Sequence, residues 1–430
     1  MNVKHIACSL LAVTLAAGSA HAAKPVHLNG GGSSLAYPPY TTDFAQYTAA
    51  KSADTFSYAA AGSGAGQNAF LNNDITYFEP STGSTSHGYA PGTLTYGTIS
   101  GTEVDFGASD AFLSSTQLTN PATGSYAQSA VDGPLIQIPT LGTPITLPFN
   151  ESGVGSSGLL LSDSQVCGVL SGKITDWHSL VPSIAAGTVI NVVYRGDSSG
   201  TTFLLTQHLN AVCNSSNSNF SIPVPITKTF ASEFTTVPSN FTAESGSGGV
   251  AKQLVATSDS FGYLSPDYTS IAPKSPNTTS LQVASLTNAV DGKPYSPTTA
   301  NTTLGLANPG TGSTNGSPPA SMAAAQNPLN WVPALPQTTK GYPIVGYTTI
   351  DVSSCYASST RGKLMIAVLK DILKKTGAFA TNVTNDGFVP LANSGAAKFY
   401  TAVSDTFLSN KAGYNLDIDD TKTCAGLAGR

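Results

Sequence analysis

Hydrophobic and polar positions along this chain follow two alternating rhythms. Short apolar runs rich in β-branched and aromatic residues give way to stretches in which apolar residues recur every three or four positions. The pattern predicts strands at 26–28, 55–60, 104–106, 189–194, 261–264 and 344–352. It predicts helices at 39–50, from 67 to 71, at 202–212, from the Ser247-Gly248-Gly249 turn to 255, at 363–375 and at 396–408. Ser162 with Gln165 three residues on forms a capping box that opens a further helix, the one containing Cys167. The helix at 363–375 runs into Lys374-Lys375-Thr376-Gly377, a basic last turn followed by glycine. Strands alternating with helices argue for parallel sheets with crossover helices. One longer apolar run, 135–149, is interrupted by Pro and Gly and is expected to pass from one lobe to another. Two stretches break the rhythm, 80–101 and about 284–326; rich in Pro, Gly, Ser, Thr and Asn, they are expected to be loosely ordered surface insertions.

The first residues add a compartment. Lys4 supplies a positive charge, 6–17 is an almost unbroken apolar run, and Ala20-His21-Ala22 is a small-x-small cleavage site. This is the layout of a secretory signal peptide at 1–22, with an apolar run too short for a membrane span. Cys8 lies inside that segment, away from the position a lipoprotein anchor needs, and no later segment is long and apolar enough to cross a bilayer. A periplasmic or secreted protein is expected. Four cysteines remain, Cys167, Cys213, Cys355 and Cys424, with no C-x-x-C pair to suggest zinc or redox chemistry. An even number in an exported chain points to disulfides. Three pairings are possible; Cys167 with Cys213 and Cys355 with Cys424 is favoured, since each bridge then staples one lobe. Charged residues are sparse at 10%, the net charge is −5, and no basic run offers a nucleic-acid footprint.

Against so little charge, four segments share one design: strand, Gly/Ser/Thr turn, helix. They are Gly30-Gly31-Gly32-Ser33-Ser34-Leu35, Gly62-Ser63-Gly64, Ser109-Asp110 and Arg195-Gly196-Asp197-Ser198-Ser199-Gly200-Thr201. Each puts free N–H groups and a hydroxyl at a helix N-terminus, where the helix dipole favours an anion. One such turn is ordinary α/β architecture. The fourth is more specific, because Arg195 can reach an anion held at the start of the following helix while Asp197 fixes its guanidinium.

Taken in order, these segments resemble the phosphate-binding turns of the PstS-like periplasmic phosphate-binding proteins. Val104-Asp105-Phe106-Gly107-Ala108-Ser109-Asp110, Ser171-Gly172-Lys173-Ile174-Thr175-Asp176-Trp177 and Phe261-Gly262-Tyr263 extend the likeness. Asn29-Gly30-Gly31-Gly32, Trp331-Val332-Pro333, Gly341-Tyr342-Pro343-Ile344-Val345-Gly346-Tyr347 and all four cysteine positions bring it nearer to the DING subgroup. The chain differs in having Ser34 where the family usually has threonine, and His27-Leu28 where the name motif opens with Asp-Ile. The resemblance implies a two-lobed α/β fold of the type-2 periplasmic-binding-protein class with a two-strand hinge. Lobe one is expected at about 23–145 plus 346–430, lobe two at about 146–345. It implies that Ser34, Leu35, Ser63 and Asp110 face a phosphate ion from the first lobe, and Arg195, Ser199, Gly200 and Thr201 from the second. A buried carboxylate suits phosphate, which keeps a proton at neutral pH, better than sulfate, which has none. Several charge-assisted hydrogen bonds suffice for tight binding, so neither metal nor cofactor is called for. A monomer is expected, working through a phosphate ABC-transporter permease or as an extracellular scavenger.

Two other function classes compete. Gly196-Asp197-Ser198-Ser199-Gly200 also fits G-x-S-x-G, the nucleophile elbow of serine hydrolases. The mature histidines are His27, His87, His178 and His208; His208 alone follows Ser198, on the very helix the elbow opens. A DING-like phosphatase using the same pocket is the alternative the resemblance carries, although no Asp/His cluster has metal-ligand spacing. An adhesive exported protein would suit the Ser/Thr-rich insertions but has no use for anion-binding turns.

Overall fold

The computed structural model describes residues 25–430 apart from 52, 82–87, 91, 120–127 and 157. The signal segment, its cut after Ala22 and part of the stretch 80–101 lie outside the described residues. Among those described, no helix is long and apolar enough to cross a membrane.

Two sheets carry the fold. The first runs Val389–Pro390, Leu135–Pro144, Val345–Ser353, Phe106–Ser109, His27–Gly32, Thr55–Ala59, Thr95–Tyr96. The second runs Gln282–Val283, Pro148–Asn150, Ser260–Gly262, Asn191–Arg195, Phe241–Glu244. The central strands of each are parallel: His27–Gly32 lies between Thr55–Ala59 and Phe106–Ser109, and Asn191–Arg195 lies between Ser260–Gly262 and Phe241–Glu244. Crossover helices Tyr37–Lys51, Ser63–Asn72, Gly200–Val212 and Gly246–Ala256 follow them. The run 135–149, expected to be one strand crossing between lobes, is instead two strands, one in each sheet, broken at 145–147. The chain returns beside it, with Ile145 N donating to Ile344 O at 2.9 Å and Tyr342 Oη to Ile145 O at 2.9 Å. Two neighbouring segments therefore join two α/β lobes.

The Gly30-Gly31-Gly32 run departs from expectation by being strand, not turn. A Cβ on Gly30 would lie 2.2 Å from the Phe106 ring, so here glycine permits close strand packing and makes no bend. Helices begin earlier than hydrophobic spacing indicates, at Ser63 and Gly200, because polar residues fill their first turns. The stretch 284–326 is also more regular than its composition suggests. It holds strands Ser285–Thr287 and Pro294–Tyr295, which with Leu160–Leu161 make a small third sheet, and helices Thr299–Ala307 and Met322–Ala325. Leu286 and Leu306 anchor it in the core.

The capping box at Ser162 and Gln165 is present in both directions. Disulfides join Cys167 to Cys213 and Cys355 to Cys424, the favoured pairing; the first ties helix Asp163–Leu170 to the end of Gly200–Val212. Arg430 is buried, with Nε on Asp132 Oδ2 at 2.8 Å, Nη1 on Val104 O at 2.6 Å, Nη2 on Phe70 O at 3.0 Å and its guanidinium 4.1 Å from the Phe70 ring centre.

Candidate anion-binding site

Open α/β sheets present ligand sites outside the carboxyl ends of their parallel strands. In lobe one those ends are Gly32, Ala59 and Ser109; in lobe two they are Arg195, Glu244 and Gly262. The two sets of turns meet.

Asp110 is the acceptor at the centre of lobe one's half, 2% exposed. Ser33 Oγ donates to its Oδ1 at 2.7 Å and Thr348 Oγ1 to the same oxygen at 3.0 Å. Ser63, first residue of its helix, accepts from Asp110 N at 3.1 Å and lies 3.5 Å from Oδ2. Ser34 and Leu35 occupy the turn before helix Tyr37–Lys51, both buried, with Leu35 packed among core residues.

In lobe two Arg195 is also 2% exposed. Its Nε donates to Asp197 Oδ1 at 2.6 Å, its Nη2 to Asp197 Oδ2, and its Nη1 to Thr201 Oγ1 at 3.3 Å. Gly246 N holds Asp197 from the far side at 3.0 Å. The arginine is thus aimed by a bidentate carboxylate. Ser199 caps helix Gly200–Val212 by accepting from Thr202 N at 3.1 Å.

The halves touch directly. Ser34 Oγ and Ser247 Oγ are 3.0 Å apart, and Ser247 N donates to Ser34 Oγ at 3.1 Å. Gly64 N donates to Ser198 O at 3.0 Å. Gly200 abuts Asp110 so closely that an added Cβ would lie 2.6 Å from Asp110 Cβ and 2.7 Å from Asp110 N. Ser34, Ser63 and Asp110 therefore share one locus with Arg195, Ser199, Gly200 and Thr201, where the N-termini of helices from both lobes converge.

Charge follows position. Burial pushes Asp110 up to about 6, against the hydrogen bonds from Ser33 and Thr348, the charge of Arg195 and the contact with Ser63. Burial also disfavours charge on Arg195 and Asp197, but each offsets it for the other, so Arg195 rises and Asp197 falls. Arg195 and Asp197 stay an ion pair, while Asp110 is poised to hold or accept a proton. The locus offers many donors and one buried acceptor, the complement of an anion that carries a proton.

The hydrolase elbow gains no support from the histidine placed after it. His208 lies two turns along the helix from Ser199, where Nε2 pairs with Asp163 Oδ1 at 3.1 Å and Nδ1 with Pro336 O at 3.1 Å.

A family model described as a PBP superfamily domain matches residues 17–309. The chain belongs to the PBP superfamily. It is 33% identical to alkaline phosphatase L of Pseudomonas aeruginosa, over 97% of this chain and 98% of that one. It is 31% identical to a phosphate-binding protein of an unknown prokaryotic organism, over 93% and 98%. Among solved structures it is similar to PfluDING, a high-affinity periplasmic phosphate-binding protein determined with phosphate bound: TM-score 0.74, 32% identity, 94% of this chain and 99% of that one. PstS-like and DING proteins are thus its relatives within the PBP superfamily.

Three members of the locus escape a reading of the sequence. Ser247 sits in a Gly/Ser turn before a helix, the same signature as the other four, yet reads as a plain helix start. Thr348 belongs to the fully buried strand Val345–Ser353 and reaches Asp110 beside a register shift at Thr348 and Thr349. Tyr263 supplies the hydroxyl that accepts from Arg195 N at 3.1 Å and pairs with Thr202 Oγ1 at 2.7 Å. Ser247 carries a local signal and Tyr263 ends the Phe261-Gly262-Tyr263 segment, whereas Thr348 is placed by sheet register.

Proposed function

We propose that this PBP-superfamily chain binds one inorganic phosphate ion between its lobes. The observation that carries this is Asp110, a buried carboxylate set among converging helix N-termini and opposite Arg195. A fully deprotonated anion meets repulsion there, whereas a protonated phosphate oxygen donates to the carboxylate. The ligand set is Ser34, Leu35, Ser63 and Asp110 from lobe one, taken as 23–145 and 346–430, and Arg195, Ser199, Gly200 and Thr201 from lobe two, taken as 146–345. Micromolar affinity needs about −8 kcal/mol. Charge-assisted hydrogen bonds of about 1.5–3 kcal/mol each supply it after ordering and desolvation costs. Release requires the lobes to part at the paired segments near Ile145 and Ile344, a hinge opening. The protein works after export, as a monomer, delivering phosphate to an ABC-transporter permease or retaining it outside the cell. A thermal-unfolding series tests the proposal. Phosphate should raise the melting temperature of refolded, ion-free protein in a saturable way and sulfate should not; equal shifts, or none, would count against it.

The relative named alkaline phosphatase L supports a second reading, phosphomonoester hydrolysis in the same cleft. That activity needs a nucleophile and a base, and His208, placed to serve Ser198 by sequence order, is engaged elsewhere. Turnover of an aryl phosphate that Ser198→Ala abolishes, with phosphate binding intact, would establish it.

A further inference from the structure

Lys228 belongs to none of the ligand turns, yet it connects the two helices that form the cleft. Its carbonyl accepts from Ser199 N at 2.8 Å. Beside it, Thr227 N donates to Thr206 Oγ1 at 3.0 Å and Thr206 Oγ1 donates back to Thr227 O at 3.1 Å. The segment is therefore fastened to the cap and second turn of Gly200–Val212. Its side chain bonds across the cleft instead of within its own lobe: Nζ donates to Gln67 Oε1 at 2.5 Å. Gln67 is buried one turn after Ser63 on lobe one's helix, and its amide nitrogen is fixed to Ala111 O at 2.5 Å, next to Asp110.

Asp351 completes the arrangement. It lies on Val345–Ser353, fully buried, and neither carboxylate oxygen accepts a hydrogen bond from a described residue. Burial pushes it up to about 8, and the charge that opposes this is Lys228. Burial in turn lowers Lys228, with Asp351 opposing. A buried carboxylate without hydrogen bonds is costly to its own lobe. Lys228, whose charge opposes that rise, belongs to the other lobe.

We propose that Lys228 is a closure latch: carried by lobe two, it engages Gln67 of lobe one, favours the closed state, and so lengthens the residence of an ion it does not touch. This rests on the phosphate-binding reading. Apparent affinity scales with the fraction of protein in the competent state, so loss of the latch weakens binding without altering which anion is chosen. One charge-assisted hydrogen bond corresponds to about 10- to 100-fold in the closed-to-open ratio.

Stopped-flow release of phosphate tests it, using wild type, Lys228→Met, Lys228→Arg, Gln67→Met and the double variant Lys228→Met/Gln67→Met. Lys228→Met should release phosphate about 10- to 100-fold faster, with sulfate rejection and ion-free melting temperature unchanged. Lys228→Arg should recover part of the residence time, and the effect of Lys228→Met should shrink in the Gln67→Met background. An unchanged release rate, full additivity in the double variant, or sulfate entering alongside lost affinity would overturn the latch. A wild type that binds no phosphate would defeat the latch together with the reading beneath it; a wild type that binds, with Lys228→Met releasing at the same rate, would defeat the latch alone.

Discussion

Gly200→Ala is expected to separate binding from folding. Gly200 opens the helix Gly200–Val212 of lobe two, and the atoms an added Cβ would strike, Asp110 Cβ at 2.6 Å and Asp110 N at 2.7 Å, belong to lobe one. Carbon atoms settle at about 3.5–4.0 Å, so the cleft must stay roughly 1 Å wider at this point. Contacts such as Gly64 N to Ser198 O at 3.0 Å and Ser34 to Ser247 at 3.0 Å would then stretch beyond hydrogen-bonding range. An ion in the gap would keep full contact with one lobe only. Loss of two charge-assisted hydrogen bonds at about 1.5–3 kcal/mol each weakens binding by about 3–6 kcal/mol, or about 10²- to 10⁴-fold. The three atoms nearest an added Cβ all belong to lobe one, and replacing glycine at a helical position should stabilise the ion-free protein by about 0.4–1 kcal/mol. Calorimetric titration with phosphate, paired with urea unfolding of ion-free protein, reads both numbers. Wild-type affinity in Gly200→Ala would refute the closed-cleft geometry, and equal losses of affinity and stability would show that the methyl disturbs the lobe itself.

Other consequences follow from particular residues. Asp110→Asn replaces the buried acceptor with an amide that can donate, so sulfate should become a measurable competitor by equilibrium dialysis. Because the folded pKa of Asp110 is raised, the ion-free protein takes up its proton as pH falls through about 6, and the contribution to stability is gained in that direction and lost as pH rises. Wild-type sulfate rejection should accordingly be firm at pH 8 and weaker at pH 5. Arg430→Ala leaves Asp132 buried without its cation and should cost about 3–5 kcal/mol of unfolding free energy in urea, with phosphate affinity kept. Replacing Cys167 and Cys213 together by serine reopens a span of 46 residues and should cost about 2–4 kcal/mol of stability by the same assay, again without moving affinity.

The sequence disclosed the alternation of strand and helix and most of the anion turns, because both are local patterns. Ser63 and Asp110 follow strands, Arg195 ends one, and each sits beside glycine or serine; the turns at Ser63 and after Arg195 lead straight into helices, whereas the next helix after Asp110 begins only at Ser115. What escaped was non-local. Thr348 reaches Asp110 only through the pairing of Val345–Ser353 with Phe106–Ser109, and nothing near Thr348 announces a polar partner. Lys228 lies in a Pro-rich segment after the Gly200–Val212 helix, and its bond to Gln67 spans 161 residues of chain. Gly30 misled in the opposite sense, since its missing side chain serves the Phe106 ring and not a turn. The stretch 284–326 hid its order because two leucines, Leu286 and Leu306, anchor a long polar segment.

The central claim is that one phosphate ion binds between the lobes against Asp110 and Arg195. Calorimetric titration of protein that has been unfolded, dialysed free of ion and refolded tests it most directly, with phosphate titrated first into buffer and then into buffer containing excess sulfate. The account predicts one site per chain and the same affinity in both buffers. A flat phosphate titration, or an affinity that collapses in sulfate, would contradict it.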